Sequence, residues 1–400
     1  MHIAYLIPTI DRVGGAERQL IELATGMARR GSQVTVIALS GHGGSAAHVL
    51  SANNVSFLSL DMRHGLADFR GWTALRRWII AAQPEVLHAH LPHAALMARA
   101  IRLAAPVRVV AETIHSPAIG GISRLLLYRL SSHLPTVITA VSRAAAAPWL
   151  EAGMLHEAEL AVIPNGINTA CWRKDHESQH CSLLASTSPH KFNWLAVGRL
   201  DPVKDHETLL RAFALLPQYA HLTVAGSGPL EHSLRRLARE LAIHNRVSFP
   251  GFQNDIRSLM QRADAFVLSS RWEGLPVALM EASACELPAV FTATAGCREL
   301  LPGSSIDPVL VADSRALASA MQKLMDLTPK ERRQIGADAR RRIVARFEIN
   351  SVLSRFEELY CCLLAANPQP SRRRYRSSTL QAPFYSSTTE TQTYSPPISK

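Results

Sequence analysis

NWLAVGRLDPVKDHETLLRAFALLPQYAHLTVAG, residues 193–226, is one full period of the pattern that decides the fold. NWLAVG and HLTVAG are short runs of strand-forming residues, and the stretch between them reads as a helix. Strand, helix and strand in that order make a βαβ unit, whose strands lie parallel. Downstream the alternation continues through RVSFPG, AFVLSS, PAVFTA and PVLVA. Upstream it runs through IAYLIP, QVTVIAL, EVLHAH, VRVVAET, TVITAVS and LAVIPN. An irregular stretch from about Cys171 to His190, rich in His, Ser and Asp, separates the two series. The chain therefore reads as α/β with two Rossmann-like doubly wound domains. Its 400 residues also exceed what one core usually organises.

The expected boundaries are 1–168 for the first domain, 169–190 for a linker and 191–346 for the second domain. A C-terminal helix at 347–366 and a tail at 367–400 follow. The tail is Ser-, Thr-, Pro- and Gln-rich with almost no aliphatic residues, so it cannot bury enough apolar area to offset its ordering entropy. We expect it to be disordered.

Composition narrows the setting. The opening MHIAYLIPTI lacks the charged start of a signal peptide and reads as a first strand, and no apolar run is long enough to span a bilayer. The six cysteines show no C-x-x-C spacing, which fits a reducing, cytoplasmic compartment. The net charge of +11 is spread over the chain. The first 170 residues carry fourteen Arg, no Lys and ten acids. The tail adds Arg372, Arg373, Arg374, Arg376 and Lys400 against Glu390. Such a diffuse excess fits an anionic surface, membrane phosphates included, and without a binding motif it does not select nucleic acid.

In open parallel sheets ligands sit beyond the carboxyl ends of the strands, so the residues after each run are the candidates. RWEGLPVALMEA, residues 271–282, follows the strand AFVLSS. Pro276 suits the first turn of a helix, which leaves Glu273 in the preceding loop and Glu281 in the second turn. First-turn N–H groups flanked by two carboxylates can hold an anion and sugar hydroxyls. An ordinary solvated helix start would place acids the same way.

VGRLDPVKD, residues 197–205, puts Arg199 and Lys204 after a strand, where both can reach a diphosphate. A surface pair salt-bridged to Asp201 and Asp205 would look alike. Gly14 and Gly15 lie in the first βα turn and allow close backbone approach to a ligand. The G-x-G-x-x-G dinucleotide fingerprint is missing there, and GSGPLE, residues 226–231, has Glu231 in place of its third glycine. His115 follows a strand and can point into a cleft. His88, His90 and His93 form H-x-H-x-x-H, with His88 and His90 on one strand face. No Cys or acid pair completes a metal site with them.

Taken together, GGAER, IHS, PNGIN, GRLDPVKD, GSGPL, GFQND and the two glutamates of EGLPVALME resemble the retaining family-4 glycosyltransferases of GT-B fold, in family order over about residues 1–366. The resemblance implies a donor site in the second domain, an acceptor site in the first and a cleft between them. It implies that Arg199 and Lys204 hold the donor diphosphate and that Glu273, with the backbone of Gly274 and Leu275, contacts the donor sugar. It further implies that Glu281 binds the ribose, that Gly14 and Gly15 lie against phosphate and acceptor, and that His115 sits by the transferred sugar. Gly226, Gly228 and Phe252 would lie near the nucleoside. The final helix would cross back onto the first domain.

The expected reaction is transfer of a sugar, with retention, from a nucleoside-diphosphate sugar to a hydroxyl of a carbohydrate or lipid-linked acceptor in cell-envelope polysaccharide, lipopolysaccharide or glycolipid synthesis. No D-x-D-like element follows a strand in the donor half, so no metal or other cofactor is expected. A nucleotide-sugar epimerase of the same fold and a non-catalytic nucleotide-sugar-binding protein remain as alternatives. FRGWTALRRWII, residues 69–80, and ISRLLLYRLSSHL, residues 122–134, mix apolar residues with Arg, and either could rest on the inner face of a membrane as a peripheral contact.

Overall fold

The computed structural model describes residues 1–11, 13–63, 65–118, 120–174 and 191–367. Most of the expected linker and the tail from residue 368 lie outside these residues. The first lobe runs β1 His2–Ile7, α1 Gly15–Arg29, β2 Gln33–Ala38, α2 Gly44–Ala52, β3 Val55–Ser59, α3 Phe69–Ala82, β4 Val86–His90, α4 Pro92–Ile101, β5 Val109–Ile114, α5 Ile122–Leu130, β6 Val137–Ala140, α6 Arg143–Glu151 and β7 Leu160–Val162. The second runs β8 Phe192–Val197, α7 His206–Phe213, β9 Ala220–Ala225, α8 Glu231–Glu240, β10 Val247–Gly251, α9 Ile256–Arg262, β11 Ala265–Leu268, α10 Val277–Ala284, β12 Ala289–Phe291, α11 Ala295–Leu300, α12 Ser314–Asp326 and α13 Pro329–Phe347. A last helix, α14 Ile349–Ala366, follows after one residue.

All strand pairs are parallel. The sheet orders are β3-β2-β1-β4-β5-β6-β7 and β10-β9-β8-β11-β12. The strands β1, β4, β5, β6, β11 and β12 are buried on both faces, which is why they read as near-continuous apolar runs, whereas the edge strands β3 and β10 are partly exposed. Each order reverses at one point, between β1 and β4 in the first sheet and between β8 and β11 in the second. Ligand crevices open at such switch points. The loops that leave these four strands carry Gly14 and Gly15, the residues after His90, the Arg199–Lys204 turn and the Glu273 loop.

One expected strand is absent. PVLVA contributes only a single bridge, from Val309 to Thr292. Pro308 has no N–H to donate, and Ala312, at φ 62°, turns the chain away just before Asp313 caps α12.

The chain crosses between the lobes twice, side by side. Ile167 pairs with Glu348, through Ile167 N–H to Phe347 O at 2.8 Å and Ile349 N–H to Ile167 O at 3.0 Å. α14 then packs on the first lobe, where Val352, Leu353, Phe356, Leu359, Tyr360 and Leu363 are buried with residues of α1 and the sheet. Gly26 of α1 makes room for it, since a Cβ there would lie 2.5 Å from Cδ1 of Leu353.

Candidate active site

The loop after β8 is tied into a tight structure. Asp201 accepts the N–H of Lys204 at 3.3 Å and also pairs with Arg199 at 2.8 Å. The Lys204 side chain then lies over Gly198, where a Cβ would meet its methylenes at 3.3 Å. Its ammonium reaches Glu273 Oε1 at 2.5 Å. Ser270 donates to the same carboxylate oxygen at 2.6 Å, and Ser269 donates to the Lys204 carbonyl at 2.8 Å. The β8 and β11 loops thus form one unit across the switch point, with a cation and an anion at its centre. Both side chains are largely buried.

The turns after β9 and β10 are joined to this unit through backbone. Gly198 N–H donates to Ala225 O at 3.1 Å, Leu200 N–H to Ser227 O at 3.0 Å, and Gly226 N–H to Gly251 O at 2.9 Å. A Cβ on Gly226 would lie 1.9 Å from Gly198 O, and one on Gly228 would lie 2.4 Å from Leu200 O. Both glycines are therefore required by neighbouring backbone, a structural reason beside the ligand-facing one. Phe252, in the turn after β10, is half exposed.

Pro276 is the N-cap of α10 and not a residue of its first turn, as the sequence reading had it; it is extended, at ψ 103°, and the helix begins at Val277. Proline offers no capping side chain, so no N-cap side chain takes up the first-turn N–H groups. Across the interface α1 begins in the same way. Gly14 has no side chain to cap with, and Glu17 folds back to take the Gly14 N–H at 3.0 Å. The two helix starts meet: a Cβ on Gly15 would lie 3.4 Å from Cγ2 of Val277. Two positive helix ends thus come together across the interface, the second beginning four residues after Glu273.

The Glu273 loop is docked on the first lobe. Ser142 donates to Gly274 O at 2.6 Å, and Asn165 to Leu275 O at 3.4 Å. A Cβ on Gly274 would strike His115 O at 2.3 Å. This places His115 directly against the Glu273 loop. Its Nε2 is 2.9 Å from His90 Nδ1, and burial pushes its pKa down to about 4, so the ring is neutral near pH 7.

Four side chains were expected around one pocket, and the structure groups them differently. Lys204 and Glu273 meet. Glu281 is buried and pairs with Arg18 of the first lobe at 2.9 Å. Arg199 is 77% exposed and turned to Asp201, which is the surface-pair arrangement, while Asp205 pairs with Arg271 at 3.2 Å. Arg199 still bears on the opposite lobe, because its charge lowers the pKa of Glu17 against a larger upward push from burial. Burial also pushes Glu281 up to about 7, against the pull of Arg18.

Arg18 has no mark in the sequence as a site residue beyond its place in the GGAER motif, one turn into α1 after Gly14 and Gly15. Ser142, Asn165 and Glu299 were also missed, since nothing local marks a residue whose partner lies on the other lobe. Glu299 accepts the N–H groups of Arg143 and Ala144, each at 3.0 Å. Of the histidine triplet, His88 and His90 are buried with ring centroids 4.4 Å apart, and His93 is exposed on α4. No group of three His, Cys, Asp or Glu among the described residues is placed to share a metal ion.

The chain matches two family models: Glycosyltransferase Family 4 over residues 13–170, and Glycosyl transferases group 1 over residues 187–342. It is 22% identical over 312 residues to the UDP-Gal:alpha-D-GlcNAc-diphosphoundecaprenol alpha-1,3-galactosyltransferase of Escherichia coli, covering 74% of this chain and 80% of that one. It is 35% identical over 142 residues to EpsD of Bacillus subtilis (strain 168), but this stretch is 34% of the chain and spans only 37% of EpsD. Among solved structures, HepE of Anabaena in complex with UDP and glucose superposes with a TM-score of 0.78 at 20% identity, over 90% of this chain and all of that one. The two family matches follow the two lobes, and the chain belongs to the group 1, family 4 glycosyltransferases of GT-B fold.

Proposed function

We propose that the protein transfers a sugar, with retention, from a nucleoside-diphosphate sugar to a hydroxyl of a carbohydrate or lipid-linked acceptor in envelope polysaccharide or glycolipid synthesis. The observation that carries this reading is the meeting of the α1 and α10 starts, with α10 beginning four residues after the Glu273 that Lys204 holds. Breaking a glycosyl phosphate builds negative charge on the departing diphosphate and oxocarbenium character on the sugar. Helix-start N–H groups, Lys204 and Arg199 supply positive potential where that negative charge grows, which favours the transition state over the ground state. Glu273, held by Lys204 and Ser270, is oriented to accept sugar hydroxyls. With Glu273 engaged in this way and Glu281 paired with Arg18, the acceptor hydroxyl attacks on the face the diphosphate leaves, without a covalent enzyme intermediate. The cationic pair stands in for a metal ion; recovery by Mg²⁺ of activity lost to EDTA would overturn that part.

The names of relatives support the donor and acceptor classes: the Escherichia coli enzyme's includes UDP-Gal and a diphosphoundecaprenol acceptor, and HepE was solved with UDP and glucose. A membrane-facing surface fits the same picture. No helix among the described residues is long and apolar enough to cross a bilayer. On α5, however, Leu126, Leu127 and Leu130 are exposed beside Arg124 and Arg129. On α3 the tryptophans are taken up in packing, Trp72 donating to Leu66 O at 2.8 Å and Trp78 set edge-on against His2. We therefore place the peripheral contact on α5, at the inner face of the membrane. Failure to sediment with anionic vesicles at low salt would remove it.

The deciding experiment is a thermal-shift panel of UDP-, GDP-, ADP- and CMP-sugars, followed by incubation of the stabilising donor with and without acceptor extract. A ligand bound to the native state alone raises Tm. A transferase then releases nucleotide when acceptor is supplied. Formation of a new nucleotide sugar without acceptor would mean an epimerase, and donor binding with no turnover would mean a non-catalytic binding protein.

A further inference from the structure

His115 has two ring nitrogens with different fates. Nε2 is bonded to His90 Nδ1 at 2.9 Å, whereas Nδ1 makes no hydrogen bond among the described residues. It is the ring nitrogen left for a ligand, on a residue whose carbonyl lies against Gly274 of the other lobe. Whether it offers a proton or a lone pair depends on which way the bond to His90 runs, because a neutral imidazole carries one N–H.

The surroundings of His90 decide this. Its Nε2 is buried and has no hydrogen-bond partner. If His115 donated to His90, the single proton of His90 would sit on that Nε2 as a bare buried donor. If His90 donates through Nδ1, only an acceptor lone pair is left bare. Buried orphan donors are rarer than under-satisfied acceptors. The ring next to it is fixed by the same accounting. Thr139 donates its hydroxyl to Glu112 O, so Thr113 donates to Thr139 and accepts from His88 Nε2, while His88 Nδ1 accepts from Tyr360. His88 therefore has no proton to exchange with His90, whose orientation is set by its contact with His115.

We propose that His90 is a positioning residue: it donates from Nδ1 to His115 Nε2 and so holds His115 as the tautomer that presents an Nδ1–H to the transferred sugar. The inference rests on the reading of His115 as a group beside that sugar. It makes His115 a hydrogen-bond donor to a sugar or leaving-group oxygen, and it rules out a general base at that nitrogen. Burial keeps both rings neutral near pH 7, which keeps the bond directional.

Long-range ¹H–¹⁵N spectra of the full-length protein labelled at histidine report tautomers directly, with His115→Gln assigning the signal. The expected result is His115 protonated on Nδ1. A wild-type His115 protonated on Nε2 overturns the proposal. In kinetics, with whichever of the UDP-, GDP-, ADP- or CMP-sugars stabilises the protein, His90→Leu should lower kcat tenfold or more with donor KM within threefold. His90→Asn, whose amide N–H falls where Nδ1–H was, should recover most of the loss and restore the His115 signal. A His90→Leu enzyme within threefold of wild-type kcat sinks the proposal. If His115→Ala also turns over normally, the placement of the site itself fails; if His115→Ala is inactive, only the role of His90 does.

Discussion

Arg18 of the first lobe and Glu281 of the second are held together at 2.9 Å, with the carboxylate almost fully buried and the guanidinium partly open to solvent. The resemblance assigns this same glutamate to the ribose, so two tasks converge on one side chain. A carboxylate can accept about four hydrogen bonds, enough for the guanidinium and a pair of ribose hydroxyls together. A hydrogen bond to a charged group contributes roughly 1.5–3 kcal/mol, or about ten- to a hundredfold in affinity. Glu281→Gln should therefore weaken nucleotide binding by that factor in calorimetry, while Arg18→Ala changes it less than threefold. Equal losses in the two variants would confine Glu281 to the interlobe pair.

The Lys204–Glu273 pair calls for a different signature. On the proposed mechanism both residues act where charge changes during reaction, so their removal should fall on kcat more than on donor affinity. Lys204→Ala and Glu273→Ala should each lower transfer about a hundred- to a thousandfold, as loss of a preorganised electrostatic group does. The fold should survive, since the loops around the pair keep their backbone bonds from Gly198 to Ala225 and from Arg271 to Val203. Near wild-type turnover in a folded variant would place the chemistry elsewhere.

The lobes were legible because their strands are apolar on both faces and are separated by helices, so one βαβ period at 193–226 could be extended in both directions. Residues after strand ends were legible for a related reason: topology places them at the crevice whatever their type. Partners were not legible. Arg199 turns to Asp201, two residues away, and Arg18 finds a carboxylate 263 residues on. That choice depends on how the lobes close, which no local spacing encodes. The PVLVA run failed for the opposite reason, because its composition suits a strand while Pro308 and the left-handed Ala312 leave room for one bridge only.

Closure itself has a testable contact. The Glu299 carboxylate caps α6 from the other lobe, taking two N–H groups that otherwise lack an intrahelical partner. Loss of such a cap costs about 1 kcal/mol, here on the joined state of the lobes more than on either lobe alone. Glu299→Ala should shift the lobes apart, seen as a larger radius of gyration in solution scattering. It should also raise donor KM about fivefold with little change in Tm. An unchanged radius and KM would show that Ser142 and Asn165 hold the interface without it.

Buried titrating groups set the pH range of the fold. Burial pushes His88 down to about 3 and His206 to about 4, and holds His90 well below its ordinary value. Unfolded, each titrates near 6.5. Below that pH the unfolded chain binds protons the fold refuses, so their contribution to stability, full above 6.5, is lost as the pH falls toward 4. Each such histidine steepens the loss by about 1.4 kcal/mol per pH unit. Glu281 has the opposite sign: raised from 4.5 to about 7 by burial, its contribution is full below 4.5 and lost as the pH rises through 7. Urea unfolding from pH 4.5 to 8 should therefore show a steep acid limb. His206→Gln should flatten that limb, since the ring it removes is buried with Nδ1 unpartnered. Glu281→Gln should gain on wild type steadily between pH 5 and 7.5. Curves for the two variants that stay parallel to wild type would mean these groups titrate alike in the folded and unfolded chain.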